Sequence, residues 1–164
     1  MKTSLKRACL SAAVVGVFTM ALAGALLAQA ADPQIGTWKL NVAKSTFSPG
    51  PAPKSGTTKI EAAGAGAKLV VDQAQADGAA RHWEFTANYD GKDVPIVGNN
   101  PDADTVARTR VNANTVETIS KKAGKVVTTQ QSTVSADGKT RTVTTKGVNA
   151  AGKTVNNVAV YERQ

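Results

Sequence analysis

Glycine turns recur at nearly constant spacing along this chain, and they constrain its fold more than any other feature. Gly124, Gly138 and Gly152 are 14 residues apart, and Gly78 and Gly91 are 13 apart. The runs between them are rich in β-branched residues and lack a sustained helical period of apolar residues. This spacing predicts strands of similar length joined as hairpins. We therefore expect an all-β, antiparallel, up-and-down meander of about eight to nine strands.

Threonine supports this interpretation, because residues 31–164 contain 17 threonines and threonine suits a half-buried pleated surface. The predicted strands are Gly36–Leu40, Thr57–Ala62, Lys68–Ala74, Ala80–Tyr89, Asp104–Val111, Thr115–Lys121, Lys125–Ser135, Thr140–Lys146 and Thr154–Glu162. Val94–Val97 is a further short candidate, which Pro95 confines to an edge or a bulge. A meander of this size usually closes on itself to remove its edges, so we expect a barrel.

Two stretches interrupt the strand pattern. Asn41 can cap a single helical turn over Val42–Ser45. The proline-rich run Ser48–Pro53 then predicts an extended loop, either a rigid connector or a lid over one barrel end. Gly98–Asp104 is a polar, turn-rich loop.

The first thirty residues have the organisation of a secretory signal peptide. Three basic residues lie within the first seven positions, and the uncharged apolar stretch Ala12–Leu27 follows. The small residues of Ala28-Gln29-Ala30 then match a signal-peptidase site. We expect a signal peptide over residues 1–30, one domain over residues 31–164 and a periplasmic or extracellular location. A retained membrane anchor is the alternative.

Cleavage after Ala30 changes the chemistry available to the protein. Cys9 is lost, so the mature chain has no thiol, and its charge falls from +8 to +5. His82 is the sole histidine, and strand alternation places it on an outward face. Four aspartates cluster near two loops, at positions 90, 93, 102 and 104, where turn formation is the simplest role. No hydrolase or phosphate-binding motif is present, so we expect no enzymatic activity, cofactor or metal.

The aromatic residues suggest a binding role. Trp83, Phe85 and Tyr89 alternate along one strand and share one face, which we expect to point inward. Arg108 and Arg110 lie on a following strand, where either could meet an acidic group. These five residues are the predicted site for a small apolar or amphipathic, possibly acidic, ligand in a partly filled barrel. We expect the protein to be a monomer.

The distribution of charge suggests an alternative. Residues 31–104 contain 7 basic and 9 acidic residues, whereas residues 105–164 contain 10 basic and 3 acidic. The basic half could dock on an anionic polymer or lipid of the cell envelope. It could equally serve solubility, because lysines beside turns and edges keep sheets apart. Nucleic acid is not an expected partner, since few aromatic residues are available for base stacking.

Gly36-Thr37-Trp38 on the first predicted strand, with Arg163 at the end of the chain, resembles the lipocalin-like (calycin) pattern. This resemblance implies a small-molecule-binding barrel whose base is closed by Trp38, with Arg163 or Arg141 packed across the indole ring. The longer stretch Gly36–Ser45, together with Asp137–Thr144, is also similar to a group of uncharacterised secreted bacterial proteins.

Overall fold

A computed structural model describes residues 32–164 of the chain, so the predicted signal peptide lies outside the described residues. The strands are β1 (Gly36–Leu40), β2 (Ser55–Ala63), β3 (Gly66–Ala74), β4 (Ala80–Asn88), β5 (Asp90–Pro95), β6 (Val97–Gly98), β7 (Thr105–Arg110), β8 (Thr115–Lys122), β9 (Lys125–Val134), β10 (Thr140–Val148) and β11 (Thr154–Arg163). One 3-10 turn, Val42–Lys44, follows β1, and Asn41 caps it as predicted. No helix among these residues is long and apolar enough to cross a membrane.

The strands form one antiparallel sheet that nearly closes into a barrel. Its order is β5-β7-β8-β9-β10-β11-β1-β2-β3-β4-β6, so the last strand pairs with the first. The two ends of the sheet, β5 and β6, are consecutive in the chain and are joined at Ile96. The chain itself therefore spans the gap between β4 and β7. The predicted all-β antiparallel meander is confirmed.

The predicted number of strands, eight to nine, is wrong: the described residues contain eleven. Nine of these match the predicted strands in position. The two additional ones come from residues 90–98, where the chain bends at Pro95 and its two halves pair with different neighbours. Val94 pairs with Val106 on β7, and Val97 pairs with Glu84 on β4. Proline cannot donate a ladder hydrogen bond, which favours a break at this point.

The base of the barrel is closed around Trp38, which is fully buried. The guanidinium carbon of Arg163 lies 4.2 Å from the centre of the indole rings. The same guanidinium donates hydrogen bonds to the carbonyl oxygens of Pro33, Ile35 and Gly138, at 2.6–2.8 Å. Of the two arginines that the lipocalin-like resemblance allowed, the structure has Arg163 in this role.

Gln34 completes the closure, although no sequence pattern indicated it. Its side chain is fully buried, and Nε2 donates to the carbonyl oxygens of Asn114 and Ser132. The hydroxyl of Ser132 donates to Oε1 of Gln34, and the Trp38 indole N–H donates to its carbonyl oxygen. The segment before β1 thus plugs the barrel and bonds to strands from the far side of the sheet.

We predict that Gln34→Ala lowers the free energy of unfolding by about 2–4 kcal/mol, because it removes three buried side-chain hydrogen bonds and leaves a space where the amide was. Chemical denaturation of both proteins measures the change. Gln131→Ala, on the exposed outer face of β9, is the matched control and should change stability by less than about 0.5 kcal/mol. Equal small losses in both variants would contradict the role of Gln34 as a plug.

Candidate functional site

The barrel contains a cavity of about 560 Å³ on the side away from the Trp38 base. This volume lies within the range of small-molecule sites. Strands β3 and β4 supply apolar residues, and β8 to β11 supply most of the polar ones. The mouth is bordered by three loops, at residues 47–53, 100–103 and 149–151.

Of the five predicted site residues, two line this cavity. Trp83 and Phe85 contribute their side chains to its wall. Tyr89, Arg108 and Arg110 are not among the lining residues, because they lie deeper in the barrel, towards the base. The predicted aromatic face does point inward: the odd-numbered residues of β4 are more buried than the even-numbered ones. Strand alternation predicts which face of the sheet a residue is on, but it does not predict how deep in the barrel that residue lies.

Tyr89 and Arg110 form a cluster with Asp32 at the base. The Tyr89 hydroxyl donates to Oδ2 of Asp32 at 2.6 Å, and Nη2 of Arg110 donates to the same oxygen. The guanidinium of Arg110 also lies 4.0 Å from the centre of the Tyr89 ring. Burial alone would raise the pKa of Asp32, but hydrogen bonds from Tyr89, the Gln34 backbone and Arg110 outweigh it and lower that pKa. This cluster holds the segment before β1 against Tyr89, which follows β4, and against Arg110 of β7.

Arg108 lies two residues earlier on β7 and is in a different situation. Its side chain is fully buried, and its Nε and Nη1 atoms have no hydrogen-bond partner. The guanidinium carbon is 5.0 Å from the centre of the Tyr89 ring. Burial lowers its pKa. A buried guanidinium with two unpaired donor atoms lowers the stability of the folded state, and such groups are rare in protein interiors.

The cavity contains a cation that sequence reasoning did not assign to the site, Arg141. It is 6% exposed and lies in the cavity wall, where Nε donates to the Ser132 hydroxyl at 2.7 Å. Its guanidinium carbon is 5.4 Å from the ring centre of Tyr161, another lining residue. Burial lowers the pKa of Arg141 to about 10, so the side chain remains cationic at neutral pH. The sequence indicates this orientation only through strand alternation, because Arg141 and Val143 are two residues apart on β10 and therefore share one face.

The mouth is held together by Asp102, which lies in the loop before β7. Its carboxylate accepts a hydrogen bond from the Ala150 backbone N–H at 3.0 Å and another from Arg81 at 3.4 Å. Asp102 therefore joins this loop to the β10–β11 turn and to β4. Three alternate residues of the proline-rich loop, Pro49, Pro51 and Pro53, line the cavity beside it.

The remaining candidate catalytic groups lie outside the cavity. His82 is exposed on the outer face of β4, where its Nδ1 is 2.7 Å from Oδ1 of Asp72. Asp90 accepts from the backbone N–H of Lys92, as expected of a turn residue. Among residues 32–164, no three His, Cys, Asp or Glu side chains are placed to hold a metal ion.

No protein-family model matches the chain, and no curated protein matches it. Among solved structures, it is similar to zebrafish ileal bile acid-binding protein in complex with cholic acid. The sequence identity is 12% and the TM-score is 0.45, over 80% of this chain and 99% of the other. At this level of similarity, no ligand and no residue role is transferred from that protein.

The lowered pKa of Asp32 predicts a specific pH dependence of stability. Because the folded pKa lies below the unfolded value of about 3.9, the contribution of Asp32 is present above that pH and is lost as pH falls through the folded pKa. Asp32→Asn should therefore be less stable than the wild type at pH 7, and the difference should shrink below about pH 4. Urea denaturation at pH 7, 4 and 3 measures it.

Tyr89→Phe is the matched variant, since it removes one hydrogen bond to Asp32 and keeps the ring under Arg110. It should raise the pKa of Asp32, which carboxyl NMR titration detects. A constant stability difference between Asp32→Asn and the wild type at all three pH values would show that the carboxylate charge is not what fastens the base.

Proposed function

We propose that this protein binds a small amphipathic acid inside its barrel, with the acidic group at Arg141 and the apolar part against β3 and β4, and that its role is binding rather than catalysis. The observation that carries the proposal is the buried, cationic Arg141 in the wall of a 560 Å³ cavity. The proposal keeps the predicted ligand class but replaces the predicted head-group partner, Arg108 or Arg110, with Arg141.

The cavity has a positive charge without a protein anion to balance it. None of the ion pairs among residues 32–164 involves Arg108 or Arg141. Burial is the main cause of the lowered pKa of Arg141, and the charge of Arg108 lowers it further. A buried charge is costly unless it is paired, and a ligand carboxylate in the cavity would pair with Arg141. Carboxylates suit guanidinium groups because two parallel hydrogen bonds can form.

The opposite part of the cavity suits an apolar group. Leu69 and Phe85 are buried in its wall, and the half-buried Trp83 lies nearer the mouth. An apolar ligand surface placed against these side chains gains about 25 cal/mol for each Å² removed from water. The two halves of the cavity thus match the two ends of an amphipathic acid.

The test is binding of laurate and of its uncharged analogue dodecanol, followed by a change in tryptophan fluorescence, since Trp83 lines the cavity and Trp38 does not. We predict that the wild type prefers laurate and that Arg141→Met weakens laurate binding by about tenfold or more while changing dodecanol binding little. Lys146→Met is the matched control, because Lys146 lies on β10 with Arg141 but on its exposed outer face.

Two results would contradict the proposal. An equal loss of laurate binding in Arg141→Met and Lys146→Met would indicate surface attraction instead of an internal head-group site. Absence of binding by either probe to the wild type would overturn the proposal that the cavity takes amphipathic ligands.

A second candidate function is docking of the exported protein on an anionic envelope surface. It is favoured by Lys122, Lys125 and Lys153, which lie at the turns of the open end and outside every ion pair among residues 32–164. Lys121, in contrast, is neutralised by Asp93 at 2.6 Å.

Fractionation of bacteria that express the full chain tests export and docking together. We predict a mature form that begins at Ala31 and sediments with envelopes at low salt, and that is released at high salt. Changing Lys122, Lys125 and Lys153 to Glu should abolish sedimentation, whereas Lys139→Glu, at the opposite end, should not. A cytoplasmic, uncleaved chain would contradict export, and salt-independent sedimentation would contradict docking.

A further inference from the structure

The cavity has two walls of different chemistry, and they come from different parts of the sheet. Four inward-facing residues of β3 and β4 in the cavity are Leu69, Val71, Trp83 and Phe85, and the polar pair Gln73 and Arg81 follows towards the mouth, where Arg81 bonds to Asp102. All four are predominantly apolar, and two are aromatic. We call these four residues the apolar wall.

The inward-facing residues of β8 and β9 differ throughout. Those that line the cavity beyond Ser132 are Thr118, Ser120, Thr128 and Gln130. They form two cross-strand pairs, because Thr118 is opposite Gln130 and Ser120 is opposite Thr128. We call these four residues the polar wall.

The two walls lie on opposite sides of the barrel. In the order of the sheet, β9 is separated from β3 by four other strands in one direction, namely β10, β11, β1 and β2. In the other direction five strands intervene, namely β8, β7, β5, β6 and β4, together with the gap that the chain spans between β5 and β6. In a nearly closed barrel this separation places β3 and β9 across the interior from each other.

The polar wall has hydrogen-bonding capacity that the protein does not use. None of the side-chain hydrogen bonds among residues 32–164 involves Thr118, Ser120, Thr128 or Gln130. Ser132, one step deeper on β9, is by contrast bonded to both Gln34 and Arg141. Three hydroxyls and one amide therefore face the cavity with free donors and acceptors.

This arrangement discriminates between ligand shapes. A straight alkyl chain that filled the cavity would remove water from the polar wall without replacing its hydrogen bonds, which is unfavourable for each group left unpaired. A rigid ligand with hydroxyls along one face and hydrocarbon on the other can satisfy both walls at once. It also loses little conformational freedom on binding.

We infer that the preferred ligand is a rigid acid that is amphipathic across its width, with hydroxyl groups along the face that contacts Thr118, Ser120, Thr128 and Gln130. This inference rests on the proposed function, because the acidic group still occupies Arg141. It adds that the hydroxylated face, and not chain length, determines specificity.

Cholate and deoxycholate are suitable probes, since they share one ring system and one carboxylate and differ by a single hydroxyl on one face. Calorimetric titration of both acids, and of laurate, gives three affinities for each protein. We predict that the wild type binds cholate at least as tightly as deoxycholate, although deoxycholate is the more apolar. In Thr118→Val/Gln130→Leu, the ratio of the two affinities should move towards deoxycholate by about tenfold.

Thr129→Val/Gln131→Leu is the matched control, because these residues follow along β9 on the exposed outer face. It should leave the ratio unchanged. The single variant Thr128→Val should shift the ratio in the same direction by a smaller amount, which provides a test if the double variant fails to fold. Retained laurate binding shows that a variant is folded.

Two results would overturn the inference while leaving the proposed function in place. One is laurate binding to the wild type without binding of either steroid acid. The other is an unchanged affinity ratio in Thr118→Val/Gln130→Leu and in Thr128→Val, which would mean that the polar wall is simply hydrated. Failure of all three acids to bind the wild type would overturn the proposed function and this inference with it.

Discussion

The packing of Arg163 on Trp38 is the interaction on which the rest of the barrel depends. It joins the end of the last strand to the first strand. Two of the Arg163 hydrogen bonds hold the segment before β1 in the barrel base, and the third goes to Gly138 in the turn between β9 and β10. Gln34 from that segment then bonds across the interior to β9. Because one end is filled in this way, the interior beyond it can remain open without loss of the closed sheet, and the cavity lies there.

Arg108 and Arg110 lie on the same strand, but they differ in how the protein compensates their charge. Arg110 is paired with Asp32 and stacked on Tyr89, so its charge is used within the fold. Arg108, one inward position further from the base, has two nitrogen atoms without partners. An apolar residue at this position would avoid the cost of a buried unpaired charge. Contacts within the fold therefore provide a carboxylate partner for Arg110 but leave Arg108 without one.

Local patterns predicted the turns, most strand positions and the inward face of β4, because each depends on residues close in sequence. Three features required information about distant contacts. The eleven-strand count depends on which neighbours the halves of residues 90–98 meet. The cavity positions of Arg141 and Trp83, as opposed to the deeper Arg108 and Arg110, depend on strand register, which sets depth in the barrel. Gln34 lies in a segment with no periodicity, so nothing marked it as buried.

The low aromatic content and the polar strand β9 have a common physical explanation. A dry core would need apolar side chains on one face of β9, yet Thr128 and Gln130 face inward as Thr129 and Gln131 face water. A strand that is polar on both faces is stable when both faces are hydrated, or when a ligand replaces the water on one of them. Because large side chains are scarce, they do not fill the barrel interior. Because the polar wall interacts favourably with water, the strands around the cavity do not close on it as they would around a hydrophobic core. The same residues that weaken the core thus define the cavity.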